Sequence, residues 1–123
     1  MTLVSALPST VLDAAVMSAI RSLGEPGEPD VFAEVARLFI ADVPVHLRAL
    51  RAAVAAGSAE SVGQIAHRIR GGALEIGALR MAPVCAAIEL AGRSGSLEQA
   101  PAQVDSLDHE FAAASAALKQ AIQ

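Results

Sequence analysis

Residues 66–78 run Ala-His-Arg-Ile-Arg-Gly-Gly-Ala-Leu-Glu-Ile-Gly-Ala. Within this run His67 is followed by a cation three residues on, Arg70, and by a glycine four residues on, Gly71. An imidazole nitrogen is a nucleophile toward phosphorus, and a guanidinium beside it can hold phosphoryl oxygens through charge-assisted hydrogen bonds. A glycine on the same face lets another surface approach. That combination suits a histidine that carries a phosphoryl group between proteins.

Such chemistry needs the imidazole in solvent. At about 100° per residue, Val62, Ile65, Ala66, Ile69, Ala73 and Ile76 fall on one face of a helix, which reads as the core face. His67 lies roughly 150° from its centre and points outward. Gln64 and Gly71 sit one turn before and after it, Leu74 one turn further, and Arg68 and Arg70 flank it on either side. Gly71 costs about 1 kcal/mol in a helix interior relative to alanine, so its presence calls for a reason. Gly72 falls nearer the core edge, where it would permit close helix packing. Leu74 is an apolar residue on the outer face, suited to a docking patch. An exposed histidine on a helix is most often neutral, and two consecutive glycines weigh against that. By geometry alone both readings stay open.

The other reactive residues read more simply. His46 falls at the edge of an apolar stripe and is expected to pack. His109, between Asp108 and Glu110, falls on a solvated face. His109-Glu110-Phe111 begins like a sensor-kinase histidine box, but three alanines follow where polar residues and proline are needed. No two histidines stand at i, i+3 or i+4, so no metal site is expected. Cys85 is the only cysteine, which excludes an internal disulfide and a cysteine-based zinc site.

Five helices must position these groups. The first is expected from about Thr10 to Leu23, capped by Ser9 or Thr10 and ended by Gly24. Asp30 caps a second helix that ends near Ala56, with Phe32, Val35, Phe39, Val43, Leu47, Leu50 and Val54 as its stripe. Pro44 inside it predicts a kink or a local irregularity. Ser58 caps the third, the motif helix of about residues 58–77, closed by Gly77. The fourth spans about Leu79 to Ala91 and ends in a Gly92-Arg93-Ser94-Gly95 turn. Ser96 and Gln99 resemble a capping box for the fifth, whose regular start Pro101 would delay. Short loops make sequential helices antiparallel. The expected architecture is all-α, an antiparallel four-helix bundle with an additional N-terminal helix, as a single domain over residues 1–123.

Composition narrows the function classes. The chain is 54% hydrophobic but only 2% aromatic, and much of the apolar content is alanine, which favours helix. Charged residues interrupt every apolar run before the roughly 20 residues that a membrane span needs. Met1-Thr2-Leu3-Val4-Ser5 lacks the basic start of a signal peptide. A soluble, cytoplasmic protein is expected. Net charge is −4 with scattered Lys and Arg, which argues against nucleic acid as a partner.

His67-Arg68-Ile69-Arg70-Gly71-Gly72, with Gly77-Ala78 after it, resembles the motif of histidine-containing phosphotransfer (HPt) domains, His-x-Leu-Lys-Gly-small. Phe39, Asp42 and Pro44 are similar to that family's Phe-x-x-Asp-x-Pro stretch, and Gly57-Ser58 to its Gly-Asp turn. Cys85, Ile88-Glu89 and Gly95 resemble the Cys-x-x-Leu-Glu and terminal glycine that follow. Two positions depart from the pattern: Arg70 replaces the usual lysine, and Gly72 the usual Ser or Thr. Gly72 resembles instead the phospho-accepting domain of chemotaxis kinases.

The resemblance implies a relay. His67 would take a phosphoryl group from the aspartate of one response-regulator receiver domain and pass it to another's. Arg70 would stabilise the group, and Gln64, Arg68, Gly71 and Leu74 would meet the partner. It further implies receivers and a hybrid sensor histidine kinase as partners, Mg²⁺ on the receiver, no cofactor bound by this chain, no kinase activity of its own, and a monomer. The competing reading is a non-phosphorylated helical adaptor of the same fold that binds receiver domains or other proteins without transfer. An intact His67 with a cation at position 70 separates the two, since an adaptor need keep neither.

Overall fold

The computed structural model describes residues 10–122. Five helices follow in order: α1 (Ala14–Arg21), α2 (Val31–Ala55), α3 (Ala59–Ile76), α4 (Met81–Ser94) and α5 (Ala100–Ala121). Helices α2 to α5 form the bundle. Each packs on its two neighbours in the ring α2, α3, α4, α5, and α1 lies against α2 and α3. The core is mostly aliphatic, with Phe32, Leu50, Ile69, Ile76, Met81, Ile88, Leu107 and Leu118 fully buried, and α1 adds no buried residue to it. Among the described residues one aromatic pair forms, Phe39 with Phe111, joining α2 to α5 at 5.9 Å between ring centres.

The helix ends differ from expectation in instructive ways. α1 begins at Ala14, not near Thr10, and Asp13 caps it by accepting from the Ala15 and Val16 amides. The Ser9 alternative lies outside the described residues. Val11 to Asp13 instead form an extended strap along the end of α3, where Asp13 N donates to Gly77 O at 2.8 Å and Leu79 N to Val11 O at 3.0 Å. Backbone groups ahead of the cap find partners there, so the helix gains nothing by extending. Gly77 makes this possible. It ends α3 at φ +78, and a Cβ on it would meet Val16 and Asp13 at 3.0–3.1 Å.

Asp30 caps α2 as expected, accepting from Phe32 N. The helix continues through Pro44 without a break. Pro44 forfeits a single amide, and the apolar contacts of Val43 and Leu47 on either side hold the turn against the core. Ser58 starts α3 without capping it through its side chain, which donates to Ser61 Oγ instead. The expected capping box of α5 does not form either. Gln99 occupies the cap position with no side-chain bond, and Pro101 sits in the first turn, where no amide is needed. Ion pairs fasten α5 to its neighbours: Arg80 is bidentate to Glu110, and Arg51 pairs with Asp105 and Asp108.

The fourth helix departs most. Gly92 and Arg93 lie inside α4, which continues to Ser94 and ends on Gly95. Gly92 is a packing residue, not a turn residue. A Cβ there would lie 2.5 Å from Gly63 N and 2.7 Å from Ala59 O, so the α3 and α4 backbones touch at this point.

Gly72 shows the opposite. A Cβ on it would make only ordinary contact with the Phe39 ring, at 3.7–3.8 Å, so close packing does not require a glycine here. Gly72→Ala should therefore raise stability by about 1 kcal/mol through helix propensity alone. Urea denaturation measures this, and a loss of stability would mean that Phe39 cannot accept the methyl group.

Candidate functional site

The apolar face of α3 carries Val62, Ala66, Ile69, Ala73 and Ile76 into the core, with Ile65 half-buried at its edge. This turns His67 outward with its side chain 66% exposed. Gln64, Gly71 and Leu74 share the exposed face, and the space around Gly71 is open. Arg68 is exposed between the α2 and α4 sides, and Arg70 is half-buried toward α4.

The structure adds a residue from α4. The Glu89 side chain is only 4% exposed, and it lies under the imidazole. His67 Nδ1 is 3.0 Å from Glu89 Oε2, Arg70 Nη1 donates to Oε1 at 3.1 Å, and Arg93 Nη2 donates to Oε2 at 2.5 Å. Burial works against the charge on Glu89. Hydrogen bonds from Arg70 and His67, with the charge of Arg93, outweigh it and hold the carboxyl below its ordinary range. Glu89 is thus an ionised carboxylate near neutrality, and a carboxylate only accepts. The imidazole must therefore donate from Nδ1, and in the neutral ring Nε2 is then the nitrogen with the free lone pair. A tertiary contact has selected the tautomer.

The contact of α3 with α4 makes this reach possible. Gly63 lies four residues before His67 and Gly92 three after Glu89, so the glycine crossing sits one turn from the cluster and fixes the helix spacing there. A cavity of about 630 Å³ opens beside the imidazole, bounded by Gln64, His67 and Arg68 on α3 and by Glu89 and Arg93 on α4. A second hollow of about 440 Å³ lies between α2 and α3, with Leu38, Phe39, Asp42, His46 and Arg68 among its walls.

Sequence reasoning gave neither Glu89 nor Arg93 a role at the site: Glu89 entered only as part of the family's pattern, and Arg93 only as a turn residue. One signal was available. The buried stripe Met81, Cys85, Ile88, Gly92 puts Glu89 about 70° from its centre, at the edge of the core face, and a charge placed there needs partners. His46 is partly buried and His109 exposed, each away from the cluster. Cys85 is buried, and burial pushes its thiol up to about 12, which leaves it an inert core residue. Among the described residues no three of His, Cys, Asp and Glu converge as a metal site would require, and no helix is long and apolar enough to cross a membrane.

This geometry has a counterpart among known proteins. The family model described as Hpt domain matches residues 34–117, from the first turn of α2 nearly to the end of α5. The chain belongs to the Hpt domain family. Its function is accordingly histidine phosphotransfer in a phosphorelay. Among solved structures it is similar to histidine-containing phosphotransfer protein B (HptB) from Pseudomonas aeruginosa PAO1. The two share 31% identity and a TM-score of 0.86, over 94% of this chain and 97% of that one. Among curated protein sequences none matches. The Hpt match contains the whole of α3 and α4, hence the His67 cluster and the glycine crossing, and leaves α1 outside.

Proposed function

We propose that His67 is the phosphoryl acceptor, attacking through Nε2 and relaying the group between the aspartates of receiver domains. The observation that carries this is the bond from Nδ1 of an exposed imidazole to the buried carboxylate, which in the neutral ring leaves Nε2 as the free nucleophile. The Nε2 lone pair attacks phosphorus of the aspartyl phosphate, the bond from phosphorus to the carboxyl oxygen breaks, and the electron pair leaves with the aspartate. Nδ1 keeps its proton, so the ring becomes a phosphorylated imidazolium whose positive charge faces Glu89. No general base is needed, because no proton is lost. Passing the group on reverses these steps.

Receiver domains and a hybrid sensor histidine kinase are the proposed partners, met through Gln64, Arg68, Gly71 and Leu74 around His67. Mg²⁺ belongs to the receiver in this scheme, which expects no cofactor on the chain and no kinase activity of its own. It further expects a monomer in the cytoplasm. The test is to mix the chain with receiver domains phosphorylated by acetyl phosphate and Mg²⁺. Label should move to the chain as an acid-labile, alkali-stable phosphoryl group. No transfer across a panel of receivers would remove the proposal.

Glu89 offers a second check. Glu89→Ala frees the ring to take either tautomer and removes the charge facing the phosphoimidazolium. Transfer should slow by about 10- to 100-fold, the usual cost of losing a group that orients a working histidine. Glu89→Gln should recover part of this, since an amide oxygen still accepts from Nδ1. Stability has its own pH signature. Because the folded carboxyl lies below its ordinary value of 4.5, its contribution is complete above that value and lost as pH falls through the folded one. The stability gap between wild type and Glu89→Gln should therefore be largest at pH 7 and shrink toward pH 3 in urea titrations.

A further inference from the structure

The cluster holds two arginines on one carboxylate, and they are not equivalent. Arg70 binds Oε1 with its side chain 39% exposed, and its charge reaches the buried Cys85 thiol. It is not among the residues that bound the cavity beside His67. Arg93 binds Oε2, the oxygen that also receives His67 Nδ1, with its side chain 71% exposed, and it does bound that cavity. Arg93 and the imidazole are thus neighbours across a single oxygen, with the open space between them and solvent.

From this placement, and resting on the reading of His67 as acceptor, we infer that Arg93 is the cation that meets the phosphoryl group, and that Arg70 is a positioning residue acting through Glu89. The Arg93 end of its pair with Glu89 is exposed, and Glu89 keeps Arg70 and His67 as partners without it, so Arg93 can leave Oε2 by rotating its side chain. Nothing else in the cluster has to move. Before transfer Glu89 balances Arg70 while Arg93 shares its charge. When the phosphoryl dianion arrives on Nε2, Arg93 turns to it. Oε2 keeps the Nδ1 proton of a ring that is now cationic, and Oε1 keeps Arg70. Every charge then has a partner. Arg68 borders this cavity and the hollow toward α2 alike, but it is not one of Glu89's partners.

Phosphotransfer from an acetyl-phosphate-charged receiver domain, measured on single and double variants, separates these roles. Arg93→Ala should slow transfer about tenfold, as loss of one charge-assisted hydrogen bond does, and Arg93→Lys should restore most of it. The same factor should persist when Glu89 is already Ala. Arg70→Ala should slow transfer in the wild-type background and cost nothing further beside Glu89→Ala. Nitrogen-15 NMR of His67 should show a larger Nε2–H fraction in Arg70→Ala and an unchanged one in Arg93→Ala. Thermal midpoints establish that each variant is folded. Wild-type transfer by Arg93→Ala would overturn the inference, as would an Arg70→Ala loss that survives without Glu89, or a tenfold loss in Arg68→Ala in place of Arg93→Ala. A wild-type chain that takes no label removes the phosphotransfer reading itself, whereas a labelled wild type with an indifferent Arg93→Ala removes only this assignment.

Discussion

His67→Gln should take no phosphoryl group from any charged receiver domain, its labelling falling to background while the fold is kept. Glutamine is the apt replacement because it removes both ring nitrogens yet leaves an amide that can still donate to the Glu89 carboxylate. The buried charge therefore keeps a partner at position 67 as well as Arg70 and Arg93. Position 67 is exposed and contributes nothing to the apolar core, so stability should stay within about 0.5 kcal/mol of wild type. The other histidines do not substitute. His46 is partly buried on α2, and His109, exposed on α5, lies away from Glu89. Label surviving in His67→Gln, mapped by mass spectrometry to either of them, would move the site.

The second large effect concerns stability. Gly92→Ala puts a methyl group 2.5 Å from Gly63 N and 2.7 Å from both Gly63 Cα and Ala59 O. These are backbone atoms in a continuous helix, and no side chain can rotate away to make room. The two helices must separate, opening the most extensive interface in the bundle. Overpacking of this kind should cost about 3 kcal/mol, at the upper end of its usual range. For a domain of this length the thermal midpoint should fall by roughly 10 °C or more. Gly63→Ala is the matched control. Its Cβ would meet α4 at 3.7–3.8 Å, which is ordinary contact, and helix propensity should leave it as stable as wild type or more so. Equal midpoints for Gly92→Ala and wild type would show that the helices can part at no cost.

These two residues mark the limits of what a linear reading could see. His67 was legible because its environment is local. The residues three and four positions away decide whether it is buried, and Ile65, Ile69, Ala73 and Ile76 announce the inner face. Asp30 and Gly77 were legible for the same reason, since a helix end is set by the few residues around it. Gly92 was not. Beside Arg-Ser-Gly it resembles turn punctuation, because a glycine that ends a helix and one that lets another helix touch it are the same residue in the sequence. Ser96 and Gln99 had the spacing of a capping box, but Gln99 itself became the cap residue. Val11 and Leu12 lay within the expected first helix, but the end of α3 offered their backbone a better partner.

Sequence alone determined the fold class and the chemistry, for each rests on periodicity and residue type: helices of a set phase, and one imidazole held outward with a cation and a glycine beside it. Only the tertiary structure decided the state of that imidazole. Glu89 lies 22 residues away on another helix, and the bond it makes depends on the backbones of α3 and α4 touching at Gly63 and Gly92. Which nitrogen of His67 carries the proton, and which arginine faces the cavity, are consequences of that distance between helices. Neither could be read from spacing within one helix.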